Sequence, residues 1–190
     1  KMFAWAEYSL GGRMPWKFIA LHNPPFSVVS KRSYGRGFER ERLTWISQRY
    51  GVDLLFSGHD HDYMRTVPVL AYRAMRGQPT TYVVAGTGGA PVYTPSHATY
   101  QAVKAAERHF CLIDIDGLTL DMTVYGVESG TIIDRFHLEK DSKGRFIKPD
   151  RYREAAADVA SIDALETLRR FLTAWSIKHV EAGEDVALER

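Results

Sequence analysis

Asp53-Leu54-Leu55-Phe56-Ser57-Gly58-His59-Asp60-His61-Asp62-Tyr63 decides the reading of this chain. An apolar run of strand length ends in a glycine, and two histidines separated by one residue follow. Glycine frees the backbone to turn, and in extended chain residues i and i+2 face the same way, so His59 and His61 are placed to enter one cavity. Imidazole is the commonest neutral metal ligand, which makes the stretch a candidate metal site at a strand end. A bare His-x-His is more often a solvated polar turn, because typical zinc sites take three or four ligands. The surrounding sequence has to decide.

Upstream, Trp16 to Leu21 is an almost continuous apolar run, expected as a strand buried on both faces. His22 follows it directly, and Asn23-Pro24-Pro25 cannot continue a strand, since two prolines lack amide donors and fix φ. Residues 38–50 carry Leu43, Ile46 and Tyr50 at spacings of three and four, an amphipathic helix closed by Gly51. Val52 to Ser57 is the next strand. Strand, helix, strand is a βαβ unit with parallel strands, so His22 and the His59/His61 pair fall at the same sheet edge. Ligands bind open α/β sheets at that carboxyl-end edge, and the convergence favours a metal site over the turn.

The flanking segments are expected as follows. Residues 2–10 form a short helix ended by Gly11-Gly12, with Met2, Trp5 and Leu10 as a loose apolar stripe. Val67 to Tyr72 is an edge strand because Pro68 would interrupt a central ladder. Thr80 to Ala85 is a buried strand, and Gly86-Thr87-Gly88-Gly89-Ala90-Pro91 closes it as a turn lining the cavity or touching substrate; no lysine or helix follows as a P-loop requires. Residues 92–108 read as loop with a short helix around Gln101 to Glu107. A meander of three antiparallel strands spans 110–115, 118–125 and 131–138. His109 and His137 are read as structural, and His97 and His179 carry no assignment. A helical stripe of Ile162, Leu165, Leu168, Phe171, Leu172 and Trp175 is expected to pack on the parent domain or to mediate self-association through 161–175.

Composition narrows the function. The 190 residues suffice for one ordinary domain, and 45% hydrophobic with 25% charged residues is globular, with neither a disordered composition nor a membrane span. Twenty-five basic against 23 acidic side chains leave no charge field for nucleic acid or anionic membrane, so a small partner is expected. Cys111 is alone and reads as a buried hydrophobe, which excludes a multi-thiolate zinc site and leaves histidine and carboxylate chemistry. The chain starts at Lys1 with residues that already read as domain interior, so it is expected to be a fragment.

Three ordered blocks carry a resemblance: Pro15-Trp16-Lys17-Phe18-Ile19-Ala20-Leu21-His22-Asn23-Pro24-Pro25-Phe26, Gly58-His59-Asp60-His61-Asp62-Tyr63-Met64-Arg65 and Gly86-Thr87-Gly88-Gly89. Over roughly residues 2–140 the chain resembles the C-terminal half of a calcineurin-like metallophosphoesterase of the purple acid phosphatase type. The resemblance implies an α/β fold: the C-terminal half of a four-layer α/β/β/α sandwich with mixed sheets, plus a C-terminal helical extension. Residues 1–140 would be the partial domain and 141–190 a linker and amphipathic tail. It further implies two metal ions, iron, zinc or manganese, about 3.5 Å apart, clamping a phosphate mono- or diester for attack by a metal-activated hydroxide. His22 and His59 would bind one ion and His61 the other. Tyr63, Arg65 and Asn23 match positions near substrate, with Arg65 either pairing with phosphate or buttressing the loop. A secreted or periplasmic location is the weak implication for compartment.

Two departures limit the expectation. The upstream D-x-H, G-D-x-x-Y or G-D-x-x-D, and G-N-H blocks are absent from this sequence, and Ser33-Tyr34-Gly35 stands where some relatives carry a histidine cluster. The chain alone is therefore expected to be inactive on aryl phosphates. A metallophosphoesterase-fold binding or scaffold module is the competing expectation.

Overall fold

The chain enters through α1 (Met2–Leu10), turns at Gly11-Gly12, and forms β1 (Phe18–Leu21), α2 (Phe38–Tyr50) and β2 (Leu54–Ser57), the expected strand–helix–strand unit with parallel strands. This computed structural model describes residues 1–29, 38–72 and 77–147. The Ser33-Tyr34-Gly35 stretch, the stripe at 161–175 and His179 lie outside the described residues. Helix α2 ends in a Schellman motif: Gly51, at φ +67°, donates its amide to Gln48 O, and Val52 donates to Ser47 O. Lys17 Nζ then caps the carbonyl ends of both helices, donating to Leu10 O at 2.7 Å and Tyr50 O at 2.9 Å.

After β2 the chain forms β3 (Tyr63–Thr66), β4 (Thr81–Ala85) and β5 (Gln101–Ala105), and the sheet order is β1-β2-β4-β3-β5. β4 is parallel to β2, whereas β3 runs antiparallel to both β4 and β5. Because β4 sits between β2 and β3, the loop 58–62 has to cross the carboxyl end of β4. The crossing is tight: a Cβ on Gly86 would stand 1.9 Å from Asp60 O and 2.9 Å from the Asp60 carbonyl carbon. Only a residue without a side chain passes there.

The second sheet is the expected meander, β6 (His109–Asp116), β7 (Thr119–Gly126) and β8 (Ile132–Glu139). Its inner face, with Leu120, Met122, Val124 and Leu138 buried, packs against Leu54, Tyr63 and Val83 of the first sheet, with Trp16 between them. Two polar links join the sheets through this apolar core. Lys140 Nζ pairs with Asp53 Oδ1 at 2.5 Å, donates to Pro15 O at 2.6 Å and lies over the Trp16 ring. Asp134 on β8 accepts from Tyr63 Oη at 2.6 Å and from Arg65 at 2.6 and 3.0 Å. Asp53, Asp134 and Lys140 are buried and Arg65 is partly so, and removing either partner of a pair would strand a buried charge. The architecture is a mixed α/β fold of two sheets flanked by helices, in keeping with a metallophosphoesterase-type sandwich.

Four local expectations are corrected. Gln101 to Glu107 is not helical: Gln101–Ala105 is β5, because β3 offers it an open ladder, whereas one or two isolated helical turns carry a nucleation cost that nothing offsets. Val67 to Tyr72 is not a strand beyond a single bridge, Val69 with Thr80; the ladder is carried by Tyr63–Thr66, ahead of Pro68. β1 is not buried on both faces; it is the terminal strand among the described residues, and Phe18 is 40% exposed. The buried side of α2 is largely polar, with Thr44, Ser47 and Gln48 inside. Gln48 replaces a strand partner, donating to Tyr72 O and accepting from Tyr72 N–H.

His109 sits between the sheets, its Nδ1 2.8 Å from Thr87 Oγ1 and 3.0 Å from Glu107 O, its ring edge-on to Tyr63. Burial lowers its pKa below the ordinary imidazole value, and Glu107 offsets this only in part.

Two outcomes follow from these placements. Gly86→Ala should destabilise the fold by at least ~2 kcal/mol in urea denaturation, because both colliding atoms are backbone; a change within ~0.5 kcal/mol would contradict the crossing geometry. Since the folded-state pKa of His109 is depressed, its contribution is complete above the unfolded value of ~6.5 and is lost as pH falls toward the folded value. The stability gap between the native chain and His109→Gln should therefore narrow from pH ~7 to ~5, and a gap that widens on acidification would reverse the assignment.

Candidate metal centre

β1 ends at Leu21 and delivers His22 to the sheet edge, where Gly58 N–H donates to His22 O at 3.1 Å and extends the parallel ladder. The chain then reverses into the crossing loop. His59 takes φ +66°, the left-handed region that non-glycine residues enter at a cost of order 1 kcal/mol or more, and such strain concentrates at functional sites. Asp60 N–H donates back to Gly58 O at 2.8 Å and tightens the turn. The result is that His59 Nδ1 lies 3.1 Å from His22 Nε2, with the rings edge to face at 82°.

His61 reaches the same cleft from the far side of the turn. Its Nδ1 is 2.9 Å from Pro91 O, its ring stacks on Tyr93 at 4.4 Å, and its carbonyl accepts from Tyr93 N–H at 2.8 Å. His22, His59 and His61 together with Gly58, Ala85, Gly86 and Gly88 line one open cleft of about 380 Å³. The glycine-rich turn thus contributes backbone wall to the cavity. The 3.1 Å between two imidazole nitrogens suits a shared ion, since two ligands at ~2.0–2.1 Å in tetrahedral arrangement stand about 3.3 Å apart. Among the described residues no group of three or more His, Cys, Asp or Glu side chains gathers closely enough to hold a metal. The cleft therefore holds two histidines in hydrogen-bonding contact, with a third histidine across it.

Beneath the histidines two carboxylates are fully buried. Asp60 Oδ2 accepts a hydrogen bond from Ser27 Oγ, which ties the loop after His22 to the crossing loop. The Asp62 carboxylate accepts no hydrogen bond from another residue, and burial, reinforced by neighbouring Asp60 and offset in part by its own backbone amide, pushes its carboxyl up to about 7.

Tyr63 and Arg65 do not line the cleft. Both turn into the sheet interface, where Asp134 holds them, and Arg65 also covers the Phe136 ring. Burial and Asp134 raise the Tyr63 pKa, so its hydroxyl stays protonated and donates. Asn23 is exposed and borders, with His22, a second and largely apolar cleft of about 620 Å³ between α1, β1 and α2. His137 pairs with Asp121 on the outer face of the second sheet, and His97 is exposed. Cys111 is half-buried on the inner side of β6, and burial raises its thiol pKa to about 11.

Sequence reasoning did not single out Ser27, Asp60, Asp62, Pro91 or Tyr93. For the aspartates the signal was available: if His59 and His61 face the cleft, the alternating residues face the interior. Nothing local marks Pro91 or Tyr93, which meet His61 across 30 residues of sequence.

Comparison with known proteins places these features. Residues 4–63 match the calcineurin-like phosphoesterase family. Purple acid phosphatase 21 of Arabidopsis thaliana is 35% identical over 78 residues, 40% of this chain and 17% of that protein. A probable inactive purple acid phosphatase 1 of the same plant is 26% identical over 148 residues, 68% of this chain and 24% of that protein. The structure of purple acid phosphatase PPD1 from yellow lupin (Lupinus luteus) seeds superposes with a TM-score of 0.64 at 24% identity, covering 76% of this chain and 29% of that one. GAP50, the anchor in the inner membrane complex of Plasmodium, shares the fold at TM-score 0.57 and 15% identity, over 88% of this chain and 46% of that one. The chain thus spans about a quarter or less of the two plant relatives' length. With its H-x-P, G-H-x-H-x-Y-x-R and G-T-G-G blocks in order on a two-sheet sandwich, the chain carries a domain that is similar, broadly, to calcineurin-like metallophosphoesterases of the purple acid phosphatase type.

Proposed function

We propose that this chain is a metallophosphoesterase-fold binding module whose cleft seats a transition-metal ion on His22 and His59, without phosphoesterase turnover from these 190 residues alone. The 3.1 Å contact between His22 Nε2 and His59 Nδ1, held by a strained backbone at His59, carries the reading. A two-histidine contact that no third His, Cys, Asp or Glu among the described residues approaches closely enough to complete supports binding better than catalysis. So does the existence of relatives described as a probable inactive phosphatase and as an anchor. In this reading residues 1–140 are the metallophosphoesterase unit.

A second reading is favoured by one further observation, that His61 lines the same cleft as the other two histidines. There, His22 and His59 would hold one ion and His61 a second, with iron, zinc or manganese as candidates and a small phosphate ester as substrate. Such a pair supplies Lewis-acid polarisation of a phosphoryl oxygen. The chain's own part would be to orient imidazoles, with Tyr63 and Arg65 supporting the crossing loop from the sheet interface. Asn23, which follows His22 and borders the neighbouring apolar cleft, would be a polar side chain on the approach of an ester.

Calorimetric titration of the full chain with Zn²⁺ separates the possibilities. We expect saturable binding that weakens at least ~10-fold in His59→Ala and in His22→Ala, since even indirect supports of a metal site are worth that much. We also expect no turnover of an aryl phosphate with added manganese, zinc or iron. Zinc affinity unchanged in both variants would remove the seat, and turnover abolished by His59→Ala would establish the hydrolase instead.

A further inference from the structure

The segment that leaves the glycine-rich turn, residues 91–100, has no regular secondary structure and no motif, yet it touches both histidine loops. Its first three residues make three contacts with His61: Pro91 O to the ring Nδ1 at 2.9 Å, Tyr93 N–H to the His61 carbonyl at 2.8 Å, and the Tyr93 ring stacked on the imidazole at 4.4 Å and 15°. Farther along, Ser96 N–H and Oγ both donate to Val28 O, and Tyr100 Oη donates to Ser27 O at 2.6 Å. Ser27 in turn donates to Asp60 between the two histidines. The circuit closes: one strap holds the loop after His22 and the loop carrying His59 and His61 to each other.

From this geometry we infer that Pro91-Val92-Tyr93 is a positioning element that fixes the tautomer and ring plane of His61. A carbonyl oxygen only accepts, so the contact with Pro91 O requires the proton of the neutral ring on Nδ1 and makes Nε2 the acceptor nitrogen. An imidazole bound to metal through one nitrogen characteristically donates its other N–H to a carbonyl or carboxylate, which fixes the ring and raises ligand basicity. Stacking on Tyr93 adds a restraint that a single hydrogen bond lacks, because it fixes the tilt of the imidazole plane. Tyr93 is accordingly a positioning residue acting through His61. The role in metal affinity rests on the second reading above, in which His61 is itself a ligand; the role in the tautomer does not.

The test is ¹⁵N–¹H long-range correlation NMR of the histidine rings in the full-length, metal-free chain, recorded about two pH units above the ordinary imidazole pKa so that the ring is neutral. The His61 signals are assigned by their loss in His61→Asn. We expect His61 as the Nδ1–H tautomer in the native chain and in Tyr93→Phe, which keeps the stack, and a mixture of tautomers in Tyr93→Ala. Zinc affinity should fall ~10- to 100-fold in Tyr93→Ala and be restored in Tyr93→Phe. An Nε2–H tautomer at His61 in the native chain overturns the inference and needs no variant to fold. A Tyr93→Ala chain with unaltered tautomer overturns it as well. If the native chain takes up no zinc while the tautomer responds as expected, the strap stands and the metal seat falls.

Discussion

The passage of the loop 58–62 over the carboxyl end of β4 governs this structure. Strand order β2-β4-β3 requires that crossing, and Gly86 permits it, because the Asp60 carbonyl occupies the space of any Cβ there. A loop pressed onto the sheet edge cannot relax into a wide turn. His59 accordingly adopts a left-handed backbone, Asp60 and Asp62 are driven inside, and the two outward residues of the alternation, His59 and His61, are delivered to the edge where β1 ends in His22. The site is therefore a product of topology before it is a product of ligand chemistry.

Rigidity for that edge comes from polar links set in the apolar interface between the sheets. Tyr63 and Arg65 immediately follow the crossing loop, and Asp134 on β8 anchors both, so the second sheet fixes where the loop lands. Lys140 and Asp53 do the same for the start of β2. Buried pairs of this kind add little net stability over apolar packing, but losing one partner strands a charge and is expensive. Their value here is registry: they specify which residue of the second sheet lies under the histidine loop.

Much of this was legible in the sequence. The βαβ unit from Phe18 to Ser57 could be read from periodicity and the Gly51 cap, and its parallel strands put His22 beside the His59/His61 turn without any tertiary information. The meander of β6 to β8 was equally readable from alternation and from the Asp116-Gly117 turn. What escaped was non-local. β5 is a strand because β3 presents an unpaired ladder to it, and no property of Gln101–Ala105 alone announces that. Tyr63 and Arg65 sit in a motif that suggests substrate, yet their partner, Asp134, lies about 70 residues away in sequence. Pro91 and Tyr93 likewise gain their meaning only when the strap meets His61. Burial of Asp60 and Asp62 lay within reach of the i, i+2 argument already applied to the histidines, and following the alternation to its other face would have found it.

The central claim is that His22 and His59 share one ion. Crystals of the full chain grown with Zn²⁺ and measured across the zinc absorption edge test it directly. The account predicts an anomalous peak within bonding distance, ~2.0–2.1 Å, of both His22 Nε2 and His59 Nδ1. Zinc bound elsewhere with this pair left at hydrogen-bonding distance, or no peak in the cleft at saturating zinc, would contradict it.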